Sequence, residues 1–316
     1  MSLLLLMAAL LSGVLAFTPD RDRSELEAQY AAAPSRFVQV AGLRLHVRDS
    51  GPADKPDAPV LVLLHGFASS LHTWEDWAQT LQADHRVIRL DLPGAGLTGP
   101  DTANVSDTPS DERNMAVLMA LLDELGVARA TLVGHSAGGR LAWRFAAQWP
   151  ERVNRLVLAA PAGFADNAGD KPAAGSHHPV VNLLRYVLPK PLLRQALASV
   201  YANPAMLTEE TVTRYHDMLL APGVRAGLLA RKPAAVQADP APFLARITVP
   251  TLVLWGQEDK VIPPAHAQRF AAALPQAQVI LLPDVGHVPH EEAPQATLQV
   301  LRQFLMPCPQ GSGQCH

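Results

Sequence analysis

Ser136 stands in Gly134-His135-Ser136-Ala137-Gly138, after the apolar run Ala130 to Val133 and before a helical pattern. A serine at a strand-to-helix turn is held with its hydroxyl above the sheet. The helix N-terminus then aims backbone N–H groups and a positive dipole end at it. Such a hydroxyl is a nucleophile for acyl transfer only with a base beside it. Of 12 histidines, His287 is the candidate base, because Asp284-Val285-Gly286-His287 directly follows the apolar run Val279 to Leu282. His290, three residues on, is the runner-up. His46 reads as an outward-facing strand residue, His177 and His178 as loop residues, and His316 is terminal.

The base needs a carboxylate to fix its tautomer and stabilise the imidazolium. Asp259 in Trp255-Gly256-Gln257-Glu258-Asp259-Lys260 is the candidate, with Glu258 the alternative. The developing oxyanion needs N–H donors. These are expected from Ala137, which follows the serine, and from Phe67 in His65-Gly66-Phe67-Ala68-Ser69-Ser70. His65 is expected to order that loop by hydrogen bonding. The turn Asp91-Leu92-Pro93-Gly94-Ala95-Gly96 lacks a following helix with phosphate-binding spacing, which argues against a dinucleotide site.

These residues must be positioned by strands and helices. Phe37 to Val40 and Leu43 to Val47 alternate apolar and polar around Ala41-Gly42 and predict a hairpin. Val60 to Leu64, Val87 to Leu90, Ala130 to Val133, Arg155 to Leu158, Thr251 to Trp255 and Val279 to Leu282 are short apolar runs, the pattern of strands buried on both faces. Helical patterns at Asp111 to Leu125, Ala137 to Gln148 and Pro264 to Leu274 lie between them. The first has apolar residues three and four apart and stops at Gly126. Strand and helix in alternation predict an α/β fold with a mostly parallel sheet, whose ligands bind at the carboxyl ends of the strands. Residues 164–245 carry no buried-strand run. They predict a helical cap inserted over that edge, with helices at Val180 to Leu188, Pro191 to Tyr201 and Thr208 to Leu220. Its apolar side chains Leu184, Tyr186, Leu193, Tyr201, Met206, Met218 and Leu219 divide between the cap's own core and the pocket wall, the larger share to the core.

Composition bounds the function. The 316 residues are 48% hydrophobic and 17% charged, with a net charge of −3. That is enough apolar content for a sizeable core and too balanced a charge for a nucleic-acid surface. Cys308 and Cys315, the two cysteines, do not make a disulfide scaffold or a zinc site. No cofactor and no metal are expected. Leu3 to Phe17 is an almost unbroken apolar run, the length of a signal-peptide core and short for a membrane span. No Lys or Arg precedes it, so an uncleaved anchor and a buried N-terminal helix stay open beside the signal peptide. Membrane association through residues 3–17 and a place in the cell envelope, anchored or exported to a periplasm, are the expectations, with the cytoplasm as the alternative. The parts are then 1–17 signal or anchor, 18–35 helical spacer, 36–163 with 246–305 core, 164–245 cap, and 306–316 tail.

At this point the chain resembles the α/β-hydrolase family, in its branch of capped serine hydrolases. The resemblance rests on His65-Gly66-Phe67, the Asp91 to Gly96 turn, Gly134 to Gly139, Trp255 to Asp259 and Gly286-His287, which appear in the family order between Arg36 and Leu305. It implies an eight-stranded, mostly parallel sheet with the cap after strand six, and a triad of Ser136, Asp259 and His287. Relatives in this branch that open epoxides or remove halogens place Asp at the nucleophile, so Ser136 disfavours those activities. The reading is a cofactor-free esterase of a largely apolar small molecule. The alternatives are hydrolysis of a C–C bond beside a ketone and a non-catalytic ligand-binding module.

Overall fold

The computed structural model describes residues 17–101, 110–165, 183–230 and 239–306. The apolar run before Phe17, the loop histidines His177 and His178, both cysteines and His316 lie outside them. Eight strands form one sheet: β1 (Ser35–Val40), β2 (Leu43–Ser50), β3 (Val60–Leu64), β4 (Arg86–Leu90), β5 (Ala130–His135), β6 (Val153–Ala159), β7 (Thr251–Gly256) and β8 (Ala277–Leu282). Their spatial order is β1-β2-β4-β3-β5-β6-β7-β8. The strand β2 is antiparallel to β1 and β4, and every other pairing is parallel.

Alternation explains why the strands read as unbroken apolar runs. In β3, Val62 and Leu64 enter one buried cluster and Leu61 and Leu63 another, so both faces are covered. The first cluster packs under α3 (Asp111–Glu124), α4 (Ser136–Gln148) and α9 (Ala265–Ala273), through Leu118, Leu122, Trp143, Phe145 and Phe270. The second packs under a 3-10 turn (Leu71–Trp74), α2 (Glu75–Leu81) and α11 (Pro294–Leu305), which follows the short α10 (Pro289–Glu292), through Trp74, Trp77, Leu298 and Leu301. Ser110 caps α3, its Oγ accepting the N–H of Arg113 at 3.1 Å.

Helix α1 (Arg23–Tyr30) precedes the sheet and packs on the segment that follows β6. Leu26 is fully buried against Leu97, Met218, Ala221 and Val224. Tyr30 donates to Asp217 Oδ2 at 2.7 Å. The insertion between β6 and β7 is helical, with α5 (Lys190–Ala198), α6 (Glu209–Leu219), α7 (Val224–Ala230) and α8 (Ala241–Leu244). Of the helix expected over 180–188, the described part is a single turn from Leu183. Leu193, Tyr201 and Met218 are buried, as core residues of this insertion should be. Tyr186 and Met206 are instead exposed.

His46 corrects the sequence reading. It lies on β2 but is fully buried, its Nδ1–H donating to Asp91 Oδ2 at 2.7 Å. The segment after β4 folds over this face: Thr98 Oγ1 accepts the His46 N–H at 2.9 Å. Alternation identifies the two faces of a strand but not what a distant loop lays over one of them.

Candidate active site

Three strand ends converge. Ser136 begins α4 directly after β5, with φ of 50°. That left-handed backbone costs a non-glycine residue about 1 kcal/mol and points the hydroxyl away from the helix body. The turn is tight enough that a Cβ on Gly138 would lie 2.4 Å from Leu64 O at the end of β3. His287 follows β8, and Asp259 follows β7.

The side chains form one string. Ser136 Oγ lies 3.1 Å from His287 Nε2, and His287 Nδ1 lies 2.8 Å from Asp259 Oδ2. Asp259 is buried, and its carboxylate is fully engaged. Oδ2 also accepts from Trp255 Nε1 at 3.1 Å, while Oδ1 accepts the N–H groups of Val261 at 2.8 Å and Ile262 at 3.0 Å. The carboxylate presents Oδ2 as an acceptor to His287, so the His287 proton sits on Nδ1 and Nε2 is free to accept from the serine. Glu258, the alternative to Asp259, is exposed.

His290, the runner-up base, does not face Ser136. Its Nε2 lies 2.8 Å from Thr73 Oγ1, and its ring stacks on Trp74 at 4.0 Å. His135 Nε2 donates to His287 O at 2.8 Å, with ring centroids 4.9 Å from His287 and 4.7 Å from His290. Burial first, then the neighbouring histidines, pushes the His135 ring well below its usual pKa. Burial, then His287 and Arg214, pushes His290 down to about 3. The two imidazoles nearest His287 are therefore neutral near pH 7. His135 carries no role in the sequence reading; its place inside the serine motif was the signal for it.

The candidate N–H donors border the hydroxyl. Ala137 is the residue after Ser136 in the first turn of α4. Phe67 follows Gly66, where a Cβ would lie 3.3 Å from Ser136 Cβ, so the β3 loop lies against the nucleophile. His65 ties that loop down: Nε2 accepts the Leu92 N–H at 2.9 Å, which puts the proton on Nδ1 for Gly66 O at 2.8 Å. From above, Tyr215 of α6 accepts from Ser69 Oγ at 3.3 Å and reaches Glu291 Oε2 at 3.3 Å.

A second serine–histidine–aspartate string runs through Ser35, His46 and Asp91, with His46 Nε2 3.0 Å from Ser35 Oγ. Its serine sits in β1 and accepts from Arg48 Nε at 2.9 Å. No helix N-terminus follows it, so it ties strands together where the first string ends on a poised hydroxyl. Among the described residues there is no cluster of three metal-ligating side chains.

A profile of the alpha/beta hydrolase fold matches residues 59–294, a span that holds all five candidate residues. This chain belongs to the α/β-hydrolase family. It is a hydrolase of that family, with the eight-stranded, mostly parallel sheet and helical insertion the resemblance implied. Over 87% of its length it is 32% identical to 96% of a 2-hydroxy-6-oxononadienedioate/2-hydroxy-6-oxononatrienedioate hydrolase from Paraburkholderia phymatum. Over 78% it is 31% identical to the dihydrolipoyllysine-residue acetyltransferase component of an acetoin cleaving system from Pseudomonas putida, of whose length it spans 63%. Among solved structures, a membrane phospholipase A described as a bacterial virulence factor superimposes over 96% of each chain, with TM-score 0.68 and 25% identity.

Proposed function

We infer that the protein is a serine hydrolase cleaving carboxylic esters of largely apolar small molecules through an acyl-enzyme on Ser136. The observation that carries this reading is the unbroken string from Ser136 Oγ through His287 to the Asp259 carboxylate. His287 Nε2 takes the hydroxyl proton as Ser136 attacks the carbonyl. The N–H groups of Phe67 and Ala137 hold the oxyanion, and Asp259 stabilises the imidazolium. The imidazolium returns its proton to the leaving alcohol. His287 then activates a water that releases the acid.

The same string serves C–C cleavage beside a ketone, and the Paraburkholderia relative's name favours that second reading. Its substrates are dicarboxylates, which call for unmatched cations at the site. The buried arginines among the described residues, Arg89 and Arg225, bridge to Glu75 and Asp20, and Arg214 bridges to Glu291. This supports a neutral, apolar ester. The likeness to a membrane phospholipase over nearly the whole chain supports an acyl ester in the same way.

The test is turnover of p-nitrophenyl esters of graded chain length beside a vinylogous 1,5-diketone. The ester should turn over many times, and Ser136→Ala should lose at least about 10³-fold in kcat. Undiminished turnover in that variant refutes the serine. A diketone preferred in kcat/KM establishes the second reading. Labelling of Ser136 by a fluorophosphonate without turnover of any substrate would make the protein a binding module.

A further inference from the structure

Exposed apolar side chains gather on one part of the insertion and on the leader stitched to it. Phe17, Leu183, Tyr186 and Leu192 are each between 48% and 58% exposed. Hydrogen bonds hold the first three as neighbours. The Thr18 N–H donates to Tyr186 O at 2.8 Å, the Tyr186 N–H to Leu183 O at 2.9 Å, and the Leu188 N–H to Thr18 Oγ1 at 3.1 Å. Leu192 comes one turn later, its N–H donating to Pro189 O at 3.1 Å. Single exposed hydrophobics are ordinary, whereas a group at one locus marks a contact surface.

Charge and sequence say what covers it. Arg185 and Lys190 are exposed between these residues. Of the carboxylates of the adjoining leader and α6, Asp20 is bound by Arg225 and the Gly223 N–H, Asp217 by Tyr30 and Arg21, and Glu209 by Arg194, while Glu210 is exposed at the start of α6. Arg185 and Lys190 are thus the charged side chains set among the apolar ones. Phe17 is also the last residue of the apolar run that starts at Leu3. The Arg225 guanidinium, donating to Thr18 O at 2.8 Å, fixes the residue after that run against the insertion.

We propose that this face rests on the surface of a lipid bilayer. Phe17, Leu183, Tyr186 and Leu192 lie at the boundary of headgroups and acyl chains, and Arg185 and Lys190 lie level with anionic headgroups. Tyr186 has the amphipathic ring that favours this depth. The insertion that carries the face also carries Tyr215, which meets Ser69, and Val200, whose carbonyl accepts the His287 N–H at 2.8 Å. Docking thus sets the roof of the site against lipid. The proposal stands apart from the ester reading, because its test reads position and not turnover.

The experiment uses the full chain with Cys308→Ser and Cys315→Ser. Single cysteines from Tyr186→Cys or Leu183→Cys carry the polarity-sensitive fluorophore NBD. Glu124→Cys, exposed at the end of α3 and hence beneath the opposite edge of the sheet, is the control. With vesicles of phosphatidylcholine and phosphatidylglycerol, about 3:1, the labels at 183 and 186 should shift to the blue. Lipids bearing a nitroxide near the headgroup should quench them, while the label at 124 stays aqueous. Labels at 183 and 186 that stay aqueous while the protein sediments with vesicles overturn the proposal, leaving the N-terminal run as the contact. Failure to sediment overturns it as well. A blue shift without vesicles in a protein of doubled mass also overturns it, and assigns the face to a second copy of the chain.

Discussion

Glu292 Oε2 accepts the backbone N–H of Gly286, one residue before His287, at 2.7 Å. The other oxygen of this buried carboxylate accepts the N–H of Asn203, in the insertion, at 2.7 Å. Two further contacts join the same partners. The His287 N–H donates to Val200 O, and a Cβ on Gly286 would lie 2.5 Å from that oxygen. The loop carrying the base and the segment Val200 to Asn203 are thus one body.

Glu292→Gln should loosen that body. An amide offers one carbonyl oxygen to two N–H groups and turns its own donors on the second. The loss of a hydrogen bond to a charged acceptor costs about 1.5–3 kcal/mol, so the melting temperature should fall by roughly 3–10 °C. Turnover of an ester should fall about tenfold with KM little changed, because the ring of His287 loses its fixed approach to Ser136. Thermal scans and steady-state kinetics on the same sample check both. A variant with wild-type melting and kcat would show that the tie carries no load.

Asp259→Asn should abolish activity without dismantling the fold. The amide can donate to Nδ1 of His287, which drives the proton to Nε2 and leaves nothing to accept from Ser136. The expected loss is about 10³–10⁴ in kcat, read by ester turnover. A near-normal rate would mean that another carboxylate serves His287.

Asp91→Asn should do the reverse. Asp91 accepts from His46 Nδ1 at 2.7 Å and from the N–H groups of Leu71 at 2.7 Å and Leu97 at 2.8 Å, all buried. Replacing this carboxylate should cost about 2–4 kcal/mol, seen as a lower urea midpoint. Asp91 touches neither Ser136 nor His287, so kcat of the folded fraction should stay within about threefold.

Acid should destabilise the protein through its buried histidines. Burial pushes His72 down to about 4 and His290 to about 3, and drives His135 lower than its usual value as well. Each ring therefore binds its proton first in the unfolded chain. Their contribution is intact above about pH 6.5 and is lost as pH falls, down to about 4 for His72 and about 3 for His290. Each group in its window contributes a slope of up to about 1.4 kcal/mol per pH unit. Urea midpoints at a series of pH values should show this decline, and His290→Gln should make it shallower. An unchanged slope in His290→Gln would place the sensitivity elsewhere.

Much of this was legible in the chain. Runs such as Val60 to Leu64 declare strands covered on both faces, and strand ends declare where Ser136, Asp259 and His287 stand. Chemistry concentrated at one sheet edge is readable because each residue follows its own strand. Contacts between segments far apart in sequence were not legible. His46 looked like a surface residue until Asp91 and Thr98 were seen lying over it. Tyr186 and Met206 looked like residues of the cap's core or of the pocket wall and are exposed instead, since hydrophobicity does not tell whether a neighbour covers a side chain. Glu291 and Glu292 drew no notice beside His287, for acidic residues starting a helix are common, and their partners in the insertion sit 76 to 90 positions away.

The backbone of Ser136, with φ of 50°, suits a residue with no side chain. Glycine would remove the steric penalty of about 1 kcal/mol, offset in part by the greater freedom of an unfolded glycine. Ser136→Gly should therefore fold at least as well as the parent while catalysing nothing. Selection for endurance alone would favour glycine at this turn, so a sturdier molecule is no reason to keep an alcohol there.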